Sequence, residues 1–241
     1  MKLEGSVALV TGANRGIGKA IAEGLLARGA SKVYAGVRDQ HSVTDPRLVA
    51  VGLDVTDAAR VAEVAERLAD VEIVFNNAGI GHAATPLGGS LDNARAELDV
   101  NYLGLVSMTQ SFAPVLAANG GGAFVNQLSV VSWVAAPHLA TYSASKAAAW
   151  MFTNAARVEL KGHGTQVLGV HVGYVDTDLV AALDVEKIAP QVLVEAVLDA
   201  LEAGESEVVV DEVSRKVKAA LHDDQNLLYP SIEAQFQATA A

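Results

Sequence analysis

Cysteine is absent from all 241 positions of the chain. A chain without cysteine has no disulfide framework, no thiolate nucleophile and no cysteine-based metal site, so its folding does not require an oxidising compartment. A zinc site is improbable for the same reason. The sequence therefore predicts no metal ion.

Positive charge and long apolar runs are also scarce. The formal net charge is -11, which argues against nucleic acid and anionic membranes as partners because both need a basic face. A transmembrane helix needs about 20 consecutive apolar residues, and the segment Met1–Gly12 leads straight into a strand and a glycine loop rather than a signal peptide. These features predict a cytoplasmic protein with one large domain and no membrane association.

What the sequence does contain is a repeated alternation of short apolar strands with helices. Ser6–Thr11 shows no polar alternation, as expected for a strand covered on both faces of a parallel sheet. Similar segments recur along the chain and are followed by loops and helical spacing, which is typical of α/β folds. The later predicted strands are 32–37, 48–53, 71–75, 123–128, 166–171 and 207–211.

A glycine-rich loop links the first strand to the first helix. In this loop, TGANRGIG, residues Gly12, Gly16 and Gly18 remove Cβ atoms where the backbone turns sharply and a pyrophosphate would approach. The helix N-terminus adds free amides and a partial positive charge. A plain βα turn can also be rich in glycine, but three glycines at this spacing favour dinucleotide binding.

The end of the second predicted strand bears on the choice of dinucleotide. An acidic residue there would bind the ribose of NAD, whereas this chain has Val37 followed by Arg38. Arg38 and Arg15 could hold the 2'-phosphate of NADP through charge-assisted hydrogen bonds. Asp39 could instead neutralise Arg38, and both arginines could simply be solvated. The sequence favours NADP and leaves NAD possible.

Further polar residues stand near predicted strand ends. Asp54 follows the third strand, where it could accept from an adenine amino group or merely cap the next helix. The segment Asn76–Gly79, NNAG, predicts a tight turn beside a ribose or adenine. Asn101 lies within a helix predicted over 90–117, either as a packing amide or as a residue that kinks the helix and holds a water next to Lys146.

The fifth predicted strand leads to Ser129, and Tyr142 and Lys146 follow on a helix that extends to about Lys161. Residues four apart share a helix face, so the phenol and the ammonium can face one point. A nearby cation favours the phenolate and lowers the pKa of Tyr142, which suits a proton donor to a developing alkoxide. Taken alone, Tyr-x-x-x-Lys would be an ordinary helix pair.

Together these residues resemble the short-chain dehydrogenase/reductase family over most of the chain, Ser6–Asp178. The loop TGxxxGxG, the segment NNAG, and the residues Ser129, Tyr142 and Lys146 match the family's motifs, and Asn101 completes its catalytic tetrad. The resemblance implies a single Rossmann-like, doubly wound domain with a seven-stranded parallel sheet, and NAD(H) or NADP(H) as the cofactor.

The same resemblance implies a role for each matched residue. Ser129 would orient a substrate carbonyl, Tyr142 would act as acid or base, Lys146 would hold the nicotinamide ribose and lower the tyrosine pKa, and Asn101 would support a water-linked proton relay. The family's arginine after the second strand, matched by Arg38, goes with NADP. The implied cofactor-binding residues are Gly12, Asn14, Arg15, Gly16, Ile17, Gly18, Arg38, Asp54, Val55, Asn77, Ala78, Gly79, Tyr142, Lys146, Gly173, Val175 and Thr177.

Two departures from the family pattern stand near the C-terminus. The usual Pro-Gly after the sixth strand is Val172-Gly173 here, which removes a rigid turn and makes cofactor affinity less secure without endangering the fold. A polar tail, 212–241, replaces the glycine-rich finish of many members; we expect a helix to about His222 and less regular sequence beyond it. A substrate loop is expected over 178–190.

The residues expected around a substrate are mostly apolar or aromatic, which favours a ketone or aldehyde with hydrophobic substituents. Val131 and Val134 could equally be core, and a loop histidine is more often a surface group. The set comprises Val131, Trp133, Val134, His138, Tyr174 and Leu179.

The leading hypothesis is an NADPH-dependent carbonyl reductase in which the cofactor supplies the hydride and Tyr142 the proton. An NAD-dependent alcohol dehydrogenase and a non-catalytic cofactor-sensing protein are the alternatives. The family commonly assembles through two helices beside the active site, so we expect a homodimer or homotetramer.

Overall fold

The computed structural model describes residues 1–181 and 183–240, without the side chains of residues 179, 239 and 240. Seven strands form one parallel sheet in the order β3-β2-β1-β4-β5-β6-β7, which confirms the predicted fold class. The strands are β1 (Val7–Thr11), β2 (Lys32–Val37), β3 (Val49–Gly52), β4 (Ile73–Asn76), β5 (Gly122–Gln127), β6 (Thr165–His171) and β7 (Glu207–Val209).

Both faces of the sheet are covered, which explains why the strands lack polar alternation. In β1, Ala8 and Val10 belong to the hydrophobic cluster under α1 and α6, whereas Leu9 belongs to the cluster under α2, α4 and α5. The helices are α1 (Gly16–Ala27), α2 (Ala58–Arg67), α3 (Leu91–Leu98), α4 (Gly104–Ala118), α5 (Ala140–Leu160), α6 (Pro190–Ala203), α7 (Glu212–Ala220), α8 (Asp224–Leu227) and α9 (Tyr229–Ala240).

Local signals set several helix ends. The Asp57 carboxylate accepts a hydrogen bond from the Arg60 amide at 3.0 Å and so caps α2. Pro190 stands in the first turn of α6, where no amide hydrogen is needed, and Gly204 ends that helix in the left-handed conformation with φ of 76°. These ends lie where the sequence predicts them.

The helix predicted over 90–117 is not a uniform α-helix. A π-helical turn, Asp99–Leu103, joins α3 to α4, and Asn101 lies inside this turn. Such turns insert one extra residue into a helix and are frequent at functional sites. The asparagine therefore marks a real irregularity of the helix.

The expectation of less regular sequence after His222 is wrong. Helices α8 and α9 continue to residue 240. The cause is a helical spacing of apolar side chains at Leu228, Ile232 and Phe236, of which the last two face a cleft. Across 1–181 and 183–240, no helix is long and apolar enough to cross a membrane.

The order of the strands reverses at β1: β2 and β3 are added on one side of it, and β4 to β7 on the other. This strand pairs with β2 on one side and with β4 on the other, so the crossovers from these two edges lead to opposite faces. Ligands of open α/β sheets bind at the carboxyl ends of the strands beside such a switch point. The glycine loop after β1 and the NNAG segment after β4 both lie there.

Candidate active site

The glycine loop is packed so closely that Gly18 has no room for a side chain. Gly12 has a φ of 67°, and a Cβ on Gly18 would lie 2.3 Å from the Gly12 carbonyl oxygen. A Cβ on Gly16 would lie 3.4 Å from the methyl carbon of Thr177. The loop is therefore held against the segment after β6, and its backbone amides at the start of α1 remain open to an anion.

Thr11 joins the glycine loop to the NNAG segment. Its hydroxyl accepts from the amides of Asn77 and Ala78 at 3.0 Å each and donates to the Phe75 carbonyl at 3.2 Å. The Asn77 side chain in turn donates to the Thr11 carbonyl at 2.9 Å. Sequence reasoning assigned no role to this hydroxyl; a buried threonine at the end of an apolar strand was the available signal.

The other residues predicted to hold the cofactor differ in exposure. Asn14 and Arg15 are exposed, and Val55 is buried. Ile17 packs against the hydrophobic cluster under α1 and α6. The Asp54 carboxylate accepts from the Thr56 amide at 3.0 Å.

Arg38 lies at the surface at the carboxyl end of β2. Asp39 does not neutralise it, since the Asp39 carboxylate accepts from the His41 amide at 3.0 Å and no ion pair joins Asp39 to Arg38 in the described ranges. The Thr56 amide lowers the pKa of Asp54, and the charge of Arg38 adds to that effect. The guanidinium of Arg38 is thus available to an anion.

The structure brings Ser129, Tyr142 and Lys146 together. Ser129 is buried after β5, where its hydroxyl donates to the Val172 carbonyl at 3.5 Å and is close enough to Tyr142 to influence its pKa. Lys146 is buried one helical turn beyond Tyr142, with its Nζ 5.8 Å from the centre of the tyrosine ring. That ammonium donates to the Gln127 carbonyl at 2.8 Å.

The predicted lowering of the tyrosine pKa is not found. Tyr142 is half-buried, and loss of hydration raises its pKa to about 12; hydrogen bonding by the Ser129 side chain opposes the shift, and the charge of Glu97 adds to it. Burial also lowers the pKa of Lys146 to about 8. The ammonium of Lys146 is directed to the Gln127 carbonyl. The largest effect on the pKa of Tyr142 is therefore its burial, and the phenol is protonated at neutral pH.

Asn101 connects the π-helical turn to the segment after NNAG and to α5, the helix that carries Tyr142 and Lys146. Its side chain accepts from the Ile80 amide at 2.9 Å and donates to the Ile80 carbonyl at 2.8 Å and to the Ser145 hydroxyl at 2.9 Å. A cavity of about 10 Å³ lies between Asn101, Gln127 and Lys146. A space of that size is close to the minimum for one water molecule.

The segment after β6 closes the site on the side of the glycine loop. The Gly173 amide donates to the Asp211 carboxylate at 2.6 Å, Val175 pairs with Ile188, and the Thr177 hydroxyl donates to the Val175 carbonyl at 3.3 Å. Asp211 also accepts from Ser214 and caps α7. Sequence reasoning missed this anchor because the residues lie far apart in the chain.

The residues predicted around a substrate have mixed environments. Val134 is buried, Val131 and Tyr174 are half-buried, and His138 is exposed. Trp133 stacks on the buried His171 with ring centres 3.7 Å apart. The side chain of Leu179 lies outside the described residues.

Glu97 is a polar residue near the site that sequence reasoning did not single out. It is fully buried, and its carboxylate accepts from the His82 amide at 2.7 Å. Its position four residues before Asn101 on one helical face was the available signal.

A family model described as short chain dehydrogenase matches residues 6–187. The chain is 32% identical to the 1-deoxy-11-beta-hydroxypentalenate dehydrogenase of Streptomyces avermitilis, over 98% of this chain and 88% of that protein. It is 31% identical to the cyclohexanol dehydrogenase of an Acinetobacter species, over 76% of this chain and 78% of that protein.

A solved structure of high similarity is a short chain dehydrogenase from Burkholderia cenocepacia J2315 in complex with NADP. It is 42% identical to this chain with a TM-score of 0.92, and the match covers 96% of this chain and 99% of that one.

The crowding of the glycine loop predicts that Gly18→Ala weakens dinucleotide binding. The new Cβ forces apart backbone segments that lie 2.3 Å from its position, and overpacking of this kind costs about 1–3 kcal/mol. We expect a lower Tm and at least a tenfold higher Kd, on the order of 1.4 kcal/mol, for a nicotinamide dinucleotide by titration calorimetry. The control is Gly162→Ala, whose Cβ meets no atom within 4 Å. Unchanged binding by Gly18→Ala would contradict the assignment of the loop.

Proposed function

Because the chain belongs to the short-chain dehydrogenase family, whose model matches residues 6–187, we propose that it is an NADPH-dependent oxidoreductase that reduces a ketone or aldehyde to an alcohol. The observation that carries this proposal is the convergence of Ser129, Tyr142 and Lys146 at the strand edge that also holds the glycine loop.

The residues present fit a bound dinucleotide. The tight glycine loop leads into the N-terminus of α1, which the Arg15 side chain does not cap, and Arg15 and Arg38 are exposed. Arg15 and Arg38 would hold the 2'-phosphate, and Lys146 would hold the nicotinamide ribose. NADP is also the ligand of the similar Burkholderia dehydrogenase. When bound, the cofactor supplies the hydride that adds to the carbonyl carbon.

The side chains of the site supply position and the proton. Ser129 donates a hydrogen bond to the substrate carbonyl oxygen and orients it. As the C=O bond becomes a C–O single bond, Tyr142 gives its hydroxyl proton to the developing alkoxide. A phenol with a pKa of about 12 is protonated at neutral pH, and Lys146 would stabilise the phenolate that remains. Asn101 and the small cavity beside Lys146 would support the return of a proton to the tyrosine through water.

A substrate with hydrophobic substituents is favoured by a cleft of about 450 Å³. Its walls are mostly apolar and come from two loops, from α8 and from α9. Thr85, at the edge of this cleft, is four residues beyond Gly81, which lies beside the Tyr142 ring. Four residues span at most about 14 Å, so this edge of the cleft lies within that distance of Gly81. Its lining includes Pro86, Leu87, Pro137, Tyr229, Ile232 and Phe236.

The second candidate is an alcohol dehydrogenase that works in the oxidative direction, with NAD as the alternative cofactor. Two relatives named as dehydrogenases favour this direction. The lack of an acidic residue at Val37 and the exposed Arg38 favour NADP over NAD. A non-catalytic cofactor-sensing protein would not need Asn101, Ser129 and Tyr142 together.

The proton transfer is tested by Tyr142→Phe. We expect a loss of at least about 100-fold in kcat for carbonyl reduction, with folding and NADPH binding retained, because only the proton donor is deleted. Tyr34→Phe, on β2, is the control and should keep wild-type kcat. Activity is measured as NADPH oxidation with a panel of aromatic ketones, aldehydes, diketones and quinones. Near wild-type turnover by Tyr142→Phe would overturn the catalytic assignment.

Cofactor choice is tested by Arg38→Ala. Charge-assisted hydrogen bonds contribute about 1.5–3 kcal/mol, so kcat/KM for NADPH should fall about tenfold or more while kcat/KM for NADH changes little. Arg67→Ala, on α2, is the matched surface control. The two values are compared with one ketone. Equal use of both cofactors by the wild type, or an unchanged ratio in Arg38→Ala, would show that Arg38 does not select the cofactor.

Assembly into at least a dimer is supported by exposed apolar side chains beside the site. Leu103, Met151 and Val158 are 51%, 62% and 80% exposed. We expect light scattering at micromolar concentration to give at least twice the chain mass of 24.9 kDa. The double change Met151→Glu and Val158→Glu should lower that mass, whereas Val213→Glu on α7 should not. A single species of 24.9 kDa for the wild type would refute the proposal.

A further inference from the structure

Glu97 is unusual because a carboxylate with no exposed surface sits beside the proposed site. Buried carboxylates are rare unless they are paired or hydrogen-bonded. Its Oε1 accepts from the His82 amide at 2.7 Å, and the Nδ1 atom of the His82 ring lies 3.4 Å from the same oxygen. The second oxygen, Oε2, has no hydrogen-bond partner in the described ranges. Both of these contacts of the carboxylate are therefore with His82.

Glu97 and Asn101 act on one stretch of backbone. They are four residues apart and share a helical face, and they hold alternate residues of the segment after NNAG. Asn101 binds both the amide and the carbonyl of Ile80, and Glu97 binds the amide of His82. The segment Gly79–His82 is thus fixed at two points by one helix.

The two glycines of this segment face the proposed catalytic pair. A Cβ on Gly79 would lie 3.6 Å from the Lys146 ammonium, and a Cβ on Gly81 would lie 3.1 Å from the Cδ2 atom of the Tyr142 ring. Gly81 therefore lies beside the ring, so close that a side chain at this position would crowd it. A displacement of this backbone would change the support of the phenol.

We propose that Glu97 is a positioning residue, which clamps His82 so that the segment Gly79–His82 supports the ring of Tyr142. This inference rests on the proposed role of Tyr142 as the proton donor. The clamp makes the orientation of the phenol depend on a residue that touches neither the substrate nor the cofactor. Asn101 fixes the near end of the segment and Glu97 fixes the far end.

The negative charge of Glu97 is a separate property from the hydrogen bond. It raises the pKa of Tyr142, together with Tyr174 from the loop after β6. Lys146 from α5 lies 5.8 Å from the centre of the ring, and His82 from the clamped segment lies beside Glu97. Variants of Glu97 must therefore separate the loss of the hydrogen bond from the loss of the charge.

Three variants make this separation. Glu97→Gln keeps an oxygen that accepts from the His82 amide and removes the charge. Glu97→Asp keeps the charge but is one methylene too short for the same contact. Glu97→Ala removes both. We expect kcat to fall at least tenfold in Glu97→Ala and Glu97→Asp, to stay within about threefold in Glu97→Gln, and the Kd of NADPH to stay within about twofold in all three, changes of about 1.4, 0.65 and 0.4 kcal/mol.

Hydrogen exchange of the His82 amide tests the clamp without any enzyme activity. Glu97→Ala and Glu97→Asp should exchange at this amide at least tenfold faster than the wild type, and Glu97→Gln should remain protected. This measurement stands even if the wild type reduces no carbonyl compound, so failure of the proposed function is distinguishable from failure of the clamp.

The proposal is overturned if Glu97→Asp matches the wild type in kcat and exchange, or if Glu97→Gln is as defective as Glu97→Ala. A loss of kcat that follows an equal loss of NADPH binding would also overturn it. If Glu97→Ala does not fold, the other two variants decide. The clamp predicts a higher kcat for Glu97→Gln than for Glu97→Asp, whereas a role of the charge alone predicts the opposite order.

Discussion

The hydroxyl of Thr11 is the contact on which both halves of the site depend. It joins the end of β1 to the amides of Asn77 and Ala78 at the end of β4. The glycine loop starts on one side of this junction, and the segment that reaches the Tyr142 ring starts on the other. Two strands that are 65 residues apart in sequence are thereby fixed at one edge. A shift of either strand would move the cofactor cradle relative to the proton donor.

The electrostatics of the site follow from burial more than from the pairing of charges. The ammonium of Lys146 is oriented by the Gln127 carbonyl, and both the ammonium and the phenol have lost hydration. Burial favours the neutral form of each group. At neutral pH the phenol therefore keeps its proton and the amine of Lys146 still carries its positive charge.

Much of the fold and the central residues of the site could be predicted because their signals are local. The apolar strands, the three glycines before α1 and the Tyr142–Lys146 spacing each lie within a few residues. The sequence could not reveal the pairing of Gly173 with Asp211, since it joins residues that only the folded sheet brings together. The pKa of Tyr142 was mispredicted for a related reason: spacing identifies a cation nearby but not the loss of hydration around the ring.

The position of α9 has a consequence for how the protein can change over evolution. This helix forms one wall of the apolar cleft, yet those of its side chains that the structure describes belong to neither of the two large core clusters. Substitutions at Ile232 or Phe236 therefore reshape the cleft while the packing under the sheet stays intact. Variation confined to the end of the chain can thus explore new ligand shapes without spending the stability that the sheet provides.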